Sequence, residues 1–278
     1  MINRNFESMN GCRVAVTGGA QGIGAGICLG FAAAGATVAI LDCQEDKAKN
    51  IADEIRRLGG VSTPISSDIS TRQGCIDGIE DVVREIGGLD VLVNCAAPGR
   101  DRKVLGQLKD VHWGIHEQLV LNAPILLASA ASDYLEESGF GSIINISSLV
   151  GSSVAADQCS WPYHVSKAGL EQMTRYLAVH LGPKSIRCNA IAPGLVDRAP
   201  HDGYKLTDNL DNRQIVEEIV PLRRAGVARD IANAAIFLAS SHASYITGQV
   251  LTVDGGLSVN EVFGASLRSF NIGRKFNE

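Results

Sequence analysis

The stretch RVAVTGGAQGIGAGICLGFAAAGATVAILD, Arg13–Asp42, decides the fold. A short Val-rich run opens it, a glycine cluster and an Ala/Gly-rich segment of helical length follow, and a second β-branched run, TVAILD, closes it. Strand, tight turn, helix and strand in that order make a βαβ unit, whose strands run parallel because the helix carries the chain back. In the turn Thr17-Gly18-Gly19-Ala20-Gln21-Gly22-Ile23-Gly24 the glycines are spaced Gly-x3-Gly-x-Gly. Glycines there let the backbone approach a pyrophosphate, whose charge is met by the free N–H groups of the helix start. A glycine turn alone is as readily a tight connection. Asp42, 18 residues beyond Gly24 at the end of the second run, tips the balance towards a dinucleotide. A carboxylate at that place accepts hydrogen bonds from both adenosine ribose hydroxyls and repels a 2′-phosphate, so the expected cofactor is NAD(H) rather than NADP(H). Neither Cys43 nor Gln44 supplies a base for such a phosphate, and Gln21 stands in the loop where one could grip it.

Beyond this unit the same alternation continues. Apolar β-branched runs at 61–68, 89–94, 142–147, 186–193 and 250–255 are separated by segments such as DKAKNIADEIRRLGG. There Ala48, Ile51, Ala52, Ile55 and Leu58 form the stripe of a helix that stops at glycine. Parallel neighbours need crossovers and both sheet faces must be buried, so the pattern predicts an α/β chain. The expected architecture is a Rossmann-type, doubly wound, seven-stranded parallel sheet with helices on both faces. Residues 1–278 read as one dinucleotide-binding and catalytic domain, with a core at about 11–256 and a C-terminal extension, 257–278.

Composition narrows the function classes. A net charge of −5 over 278 residues offers no basic footprint for nucleic acid or an anionic membrane surface. The longest apolar stretch, 119–131, holds Asn122 and Pro124 and is too short to span a bilayer. The N-terminus lacks the apolar core and cleavage site of a signal peptide, so a cytoplasmic protein is expected. Seven cysteines are scattered singly, which fits reduced, mostly buried thiols, and neither they nor the six histidines repeat a metal-ligand spacing. No metal site is expected.

A second stretch carries chemistry. In SWPYHVSK, Ser160–Lys167, a helix with Pro162 in its first turn would put Tyr163 and Lys167 one turn apart on one face. A free phenol ionises near pH 10. A neighbouring ammonium and a positive nicotinamide ring both favour phenolate, so this pair is suited to moving an alcohol proton.

With these residues in order, the chain resembles the short-chain dehydrogenase/reductase family over about residues 11–256. The family's Thr-Gly-x3-Gly-x-Gly falls on Thr17–Gly24, which assigns Gly18, Gln21, Gly22, Ile23 and Gly24 to the cofactor. Its adenine-contacting Asp matches Asp68, with Ile69 beside it. Its Asn-Asn-Ala-Gly appears as Asn94-Cys95-Ala96-Ala97, so Asn94 and Ala96 match while Cys95 and Ala97 depart. The catalytic serine falls on Ser148 and the catalytic Tyr and Lys on Tyr163 and Lys167, the latter two also holding the cofactor. Pro193-Gly194 and Asp254-Gly255-Gly256 match later landmarks, and Val196 the apolar nicotinamide contact.

Two departures stand out. The family's helix Asn, seven residues after a Trp, falls on Val120 when counted from Trp113, with Asn122 two residues further; a main-chain carbonyl is the other candidate for its role. Arg198 stands where a nicotinamide-bonding Thr is common. The resemblance implies an NAD(H)-dependent alcohol dehydrogenase or carbonyl reductase, a small-molecule alcohol or ketone substrate, and a homotetramer or homodimer. An NADPH-dependent 3-oxoacyl-thioester reductase and a non-catalytic dinucleotide-binding regulator are the alternatives; the second would be expected to have lost Tyr163 or Lys167. The substrate pocket is expected among residues 98–103, the Leu149–Trp161 loop and a lid at about 195–213. Arg100, Arg102, Lys103, Arg198 and His201 stand around its mouth, where they would suit a polar or anionic substrate.

Overall fold

The founding βαβ unit forms as its sequence requires: Arg13–Thr17 (β1) and Thr37–Asp42 (β2) pair in parallel, and Gly22–Ala33 (α1) crosses between them. The computed structural model describes residues 9–98, 110–155, 159–198 and 206–260. Glu45–Arg57 (α2), Val61–Ser66 (β3), Arg72–Ile86 (α3) and Val91–Asn94 (β4) follow. Then come Asp110–His116 (α4), Ala123–Glu137 (α5), Ser142–Ile146 (β5), Trp161–Leu181 (α6) and Arg187–Pro193 (β6). The last elements are Val196–Asp197 (β7), Leu210–Ile219 (α7), Gly226–Val227 (β8), Ala228–Ala239 (α8) and Val250–Val253 (β9). The main sheet has seven parallel strands in the order β3-β2-β1-β4-β5-β6-β9. The chain runs outward from β1 to β3, then returns to lay β4 on the other side of β1. That reversal opens a crevice at the carboxyl ends of β1 and β4, where a doubly wound sheet binds its ligand.

Alternation along each strand builds two cores. Val14, Val16, Val38 and Ile40 face α1, α2 and α8, while Ala15, Ala39 and Leu41 face α3, α5 and α6. Residues 48, 51, 52 and 55 of α2 are buried, and the helix ends two residues before Gly59, whose φ of +86° stops it. On the first face α1 crosses α8 closely. A side chain at Gly30 would come within 2.7 Å of the Ala232 Cβ, and one at Gly26 would collide with Ala228. Pro64 sits in β3, an edge strand, where its missing N–H costs least.

At the bottom of the sheet Arg13 and Asp90 tie β1 to β4. The Asp90 carboxylate accepts from the Arg13 backbone N–H at 2.7 Å, Nε at 2.9 Å and Nη2 at 2.6 Å. Removing the carboxylate strands a guanidinium that is 31% exposed, so the cost is less than for a fully buried pair. Asp90→Ala should lower the unfolding free energy by about 2 kcal/mol. A urea titration with an unchanged midpoint would contradict that assignment.

Two features depart from the expected pattern. The two-residue ladder of β7 and β8 joins the main elements, too short to leave a periodic signal. The apolar stretch at 119–131 runs into α5, which is joined to α4 by a π-helical turn, Glu117–Asn122. Pro124 has no N–H to offer the carbonyl of Val120 four residues back, and its ring crowds that carbonyl, so a wider turn takes up the difference. Among the described residues no helix is long and apolar enough to cross a membrane, and no group of three or more His, Cys, Asp or Glu could hold a metal ion. All seven cysteines are free, with Cys43 exposed, Cys95 partly buried and the rest buried.

Candidate active site

A cavity of about 420 Å³ opens over the carboxyl ends of β1, β2, β4 and β5. The turn after β1 contributes Gly18 and Gln21 to Gly24; the end of β2 contributes Asp42, Cys43 and Gln44; and the segment after β3 contributes Asp68 and Ile69. Ala96 follows β4, Ser148 follows β5, Tyr163 and Lys167 project from α6, and Pro193 and Arg198 close the far side. Asn94, Gly194 and Val196 do not line it. Asn94 and Val196 are buried beside it, and Gly194 lies against Asp254 in a contact too tight for a side chain.

Several observations fit a dinucleotide on one half of this cavity. Gly18 has φ +65°, and a Cβ there would lie 2.7 Å from the Ala96 Cα, so only glycine lets the two turns meet. A Cβ on Gly24 would run into the Gly18 carbonyl, which leaves the start of α1 open to a phosphate. Asp42, 7% exposed, accepts from the Ala20 N–H at 3.1 Å and the Gln44 N–H at 3.0 Å. The carboxylate thus anchors the glycine turn as well as facing the cavity. Two hydrogen bonds from Ser70 hold the Asp68 carboxyl below its ordinary range. The Thr17 hydroxyl accepts from the N–H groups of Cys95 and Ala96 at 3.1 and 3.2 Å, so the chain after β4 is tied to β1 despite its altered motif. Asn94 donates to Asn145 at 2.8 Å while its own Oδ1 is buried without a hydrogen-bond partner.

The other half carries the side chains that the resemblance assigns to catalysis. Pro162 stands in the first turn of α6, after Ser160, and places Tyr163 and Lys167 on the buried face. The Lys167 ammonium donates to the Ile146 carbonyl at 2.6 Å and lies 5.8 Å from the centre of the Tyr163 ring. His116 of α4 stands edge-on to that ring at 5.9 Å, and Trp113 stacks on Trp161 at 5.4 Å. Ser148 lies at the end of β5. Its neighbour Ser147 donates to Glu171 at 2.9 Å, and Gly151 packs against the same carboxylate, so Glu171 braces the turn that carries Ser148.

Asn122 does not reach this centre. It lies exposed and donates to Gln118 at 3.1 Å, while Val120 is buried. Of the basic groups expected at the mouth, Arg198 lines the cavity; Arg100, Arg102, Lys103 and His201 lie outside the described residues. One cation stands just beyond Cys43 and Gln44. Lys47, one turn into α2, donates to Gln21 at 3.0 Å and Gln44 at 2.7 Å beside Asp42. Its only sequence signal was a position three residues beyond Gln44 on a helix start.

Cys43 gives a probe of the cavity beside Asp42, because it is the exposed thiol and lines the cavity. Burial raises its ionisation above the ordinary thiol value, and burial pushes Cys95 up to about 12. N-ethylmaleimide should therefore label Cys43 first, and saturating NADH should slow that labelling by about tenfold, as followed by peptide mass spectrometry. Equal rates with and without the dinucleotide would place it elsewhere.

Residues 18–258 match the family model described as Enoyl-(Acyl carrier protein) reductase. The chain is 37% identical over 244 residues to 3-oxoacyl-[acyl-carrier-protein] reductase FabG of Chlamydia muridarum, covering 87% of this chain and 96% of that one. It is 33% identical over 256 residues to 7alpha-hydroxysteroid dehydrogenase of Escherichia coli, covering 92% and 98%. A solved 7 alpha-hydroxysteroid dehydrogenase, in complex with NADH and 7-oxo glycochenodeoxycholic acid, superposes with a TM-score of 0.83 at 32% identity, over 92% of this chain and 98% of that one. With its seven-stranded sheet, glycine turn and Ser-Tyr-Lys cluster, the chain belongs to the short-chain dehydrogenase/reductase family of oxidoreductases.

Proposed function

We propose that the protein interconverts a secondary alcohol and a ketone using NAD(H), with residues 1–278 acting as one catalytic domain. The observation that carries this reading is the convergence of Ser148, Tyr163 and Lys167 on the cavity that also holds the glycine turn and Asp42. A nicotinamide ring bound there supplies the hydride acceptor in oxidation and the donor in reduction. Tyr163 takes the hydroxyl proton on its phenolate oxygen in oxidation and returns it from the phenol in reduction. Ser148 hydrogen-bonds the substrate oxygen and keeps it beside that phenol. Lys167, fixed by the Ile146 carbonyl, holds the nicotinamide ribose. Asn122, turned to solvent and donating to Gln118, is not placed to hold a water linked to Lys167, which leaves the main-chain carbonyl of Val120 as the other candidate for that role.

Asp42 accepts the ribose hydroxyls and favours NAD(H). A second reading, reduction of 3-oxoacyl thioesters with NADPH, is favoured by Lys47 at the adenosine end and by the likeness to FabG. The two separate on cofactor: NADH should bind more tightly than NADPH. Exposed apolar groups on α6, namely Val165, Tyr176 and Val179, and Leu251 on the edge strand β9 support a homotetramer or homodimer. A cytoplasmic location fits the reading. The experiment is NAD+ reduction across cyclohexanol, D-sorbitol, L-lactate and chenodeoxycholate, with Tyr163→Phe as control. Oxidation of none, together with NADPH-dependent reduction of an acetoacetyl thioester, would favour the second reading.

A further inference from the structure

Tyr163, Lys167 and Glu171 stand one turn apart on α6, and all three are buried. The row they form meets the end of β5 residue by residue. Lys167 grips the Ile146 carbonyl at 2.6 Å, and one turn further Glu171 accepts from the Ser147 hydroxyl at 2.9 Å. Ser147, Ser148, Tyr163 and Lys167 line the cavity; Glu171, 6% exposed, lies behind them and has no part in the proton transfer. A carboxyl group buried there is costly unless its hydrogen bonds are made. The Ser147 hydroxyl has one hydrogen and two acceptors within reach, Glu171 at 2.9 Å and the Lys167 carbonyl at 3.4 Å, so the shorter bond prevails. Gly151 leaves the space for it: a Cβ there would run into the Glu171 carboxylate and lie 3.1 Å from the Ser147 Oγ. Glu171 is thus wedged between the residue before Ser148 and the turn after it.

We propose that Glu171 is a positioning residue: through Ser147 it sets the Ser148 hydroxyl at its working distance from the Tyr163 phenol, so that both reach one substrate oxygen. The catalytic half of this proposal rests on the alcohol-oxidation reading; the tie between Glu171 and the turn does not. Ser148 needs such a tie. Its own hydroxyl accepts only a long bond, from the Val150 N–H at 3.5 Å, which is too weak to fix its place. Its position therefore follows from the main chain around it. There the Ser147 N–H donates to the Ile191 carbonyl at 2.7 Å and the Gly151 N–H to the Ser148 carbonyl at 2.9 Å, which ties the turn to β6 and to itself. Glu171 is what ties it to α6, the helix that carries Tyr163. Without that carboxylate the Ser147 hydroxyl is left with the Lys167 carbonyl, and Gly151 loses the group it packs against. A shift of about 1 Å between two groups that must meet one reacting oxygen costs up to about a hundredfold in rate.

The test compares wild type, Glu171→Gln, Glu171→Leu and Gly151→Ala as full chains, each with Ser148 and with Ser148→Ala. Glutamine keeps an oxygen for the Ser147 hydroxyl; leucine fills much of the same volume and offers none. Gly151→Ala keeps the carboxylate and crowds it from the other side, so it carries the test even if Glu171→Leu fails to fold. Substrate-free amide hydrogen exchange of the peptide covering Ser147 to Gly151, corrected for intrinsic rates, should be about fivefold faster in Glu171→Leu and Gly151→Ala than in wild type, with Glu171→Gln protected. With the panel alcohol of highest kcat/KM, Glu171→Leu and Gly151→Ala should lower kcat about tenfold and leave the NADH dissociation constant within about twofold, and Glu171→Gln should restore kcat. In the Ser148→Ala background the same changes should cost less than about twofold, because the hydroxyl they misplace is gone. Exchange equal to wild type in both Glu171→Leu and Gly151→Ala would overturn the tie. An unchanged kcat in both, or a tenfold loss that persists undiminished beside Ser148→Ala, would overturn the positioning role. Absence of any alcohol oxidation would fall on the proposed function instead, because the exchange result is read without substrate.

Discussion

Tyr163→Phe is expected to lower kcat by about a thousandfold, the scale of losing a positioned general acid–base. The ring is buried, packed edge-on by His116 and flanked by Lys167, and all of these contacts survive removal of one oxygen. Fold and most of the dinucleotide affinity should therefore persist, and the loss should appear in kcat rather than as unfolding. Stopped-flow turnover beside a NADH fluorescence titration checks both halves. A variant that keeps full activity contradicts the role given to the phenol, and one that binds no NADH places the damage in the site's architecture.

Asp42→Ala should move the preference between NADH and NADPH by about a hundredfold towards NADPH, from the loss of charge-assisted hydrogen bonds to the ribose and of repulsion against a 2′-phosphate. Lys47 strengthens that expectation, since its ammonium already sits among the Gln21 and Gln44 side chains at the same end. Part of the loss in NADH affinity will come from the glycine turn, because Asp42 also fixes the Ala20 N–H. Asp42→Asn, which keeps an acceptor for that N–H, should lose less NADH affinity than Asp42→Ala. Isothermal titration with both dinucleotides decides it, and an unchanged ratio would mean that Asp42 is not the discriminating group.

The main sheet was legible because its strands are short β-branched runs separated by helices, and a parallel sheet buried on both faces leaves no other arrangement. Gly18, Asp42, Ser148, Tyr163 and Lys167 were legible as candidates because each ends a strand or starts a helix within a local motif. Three things were not. The π turn depends on Pro124 withdrawing a hydrogen bond from a residue four positions back, which a stripe of apolar residues does not reveal. The close crossing of α1 and α8 is a tertiary match between Gly26, Gly30 and two alanines about 200 residues away. Lys47 and Glu171 act through long side chains whose partners, Gln21 and Ser147, lie 26 and 24 residues off, and only geometry brings them together.

The most direct test follows the hydrogen itself. A secondary alcohol of the panel, deuterated at its carbinol carbon, is incubated with the protein and NAD+, and the nicotinamide product is analysed by mass spectrometry. Direct transfer across the cavity predicts one deuterium in each NADH formed, and almost no product with Tyr163→Phe. NADH without the label, or undiminished labelled NADH from Tyr163→Phe, would contradict the account.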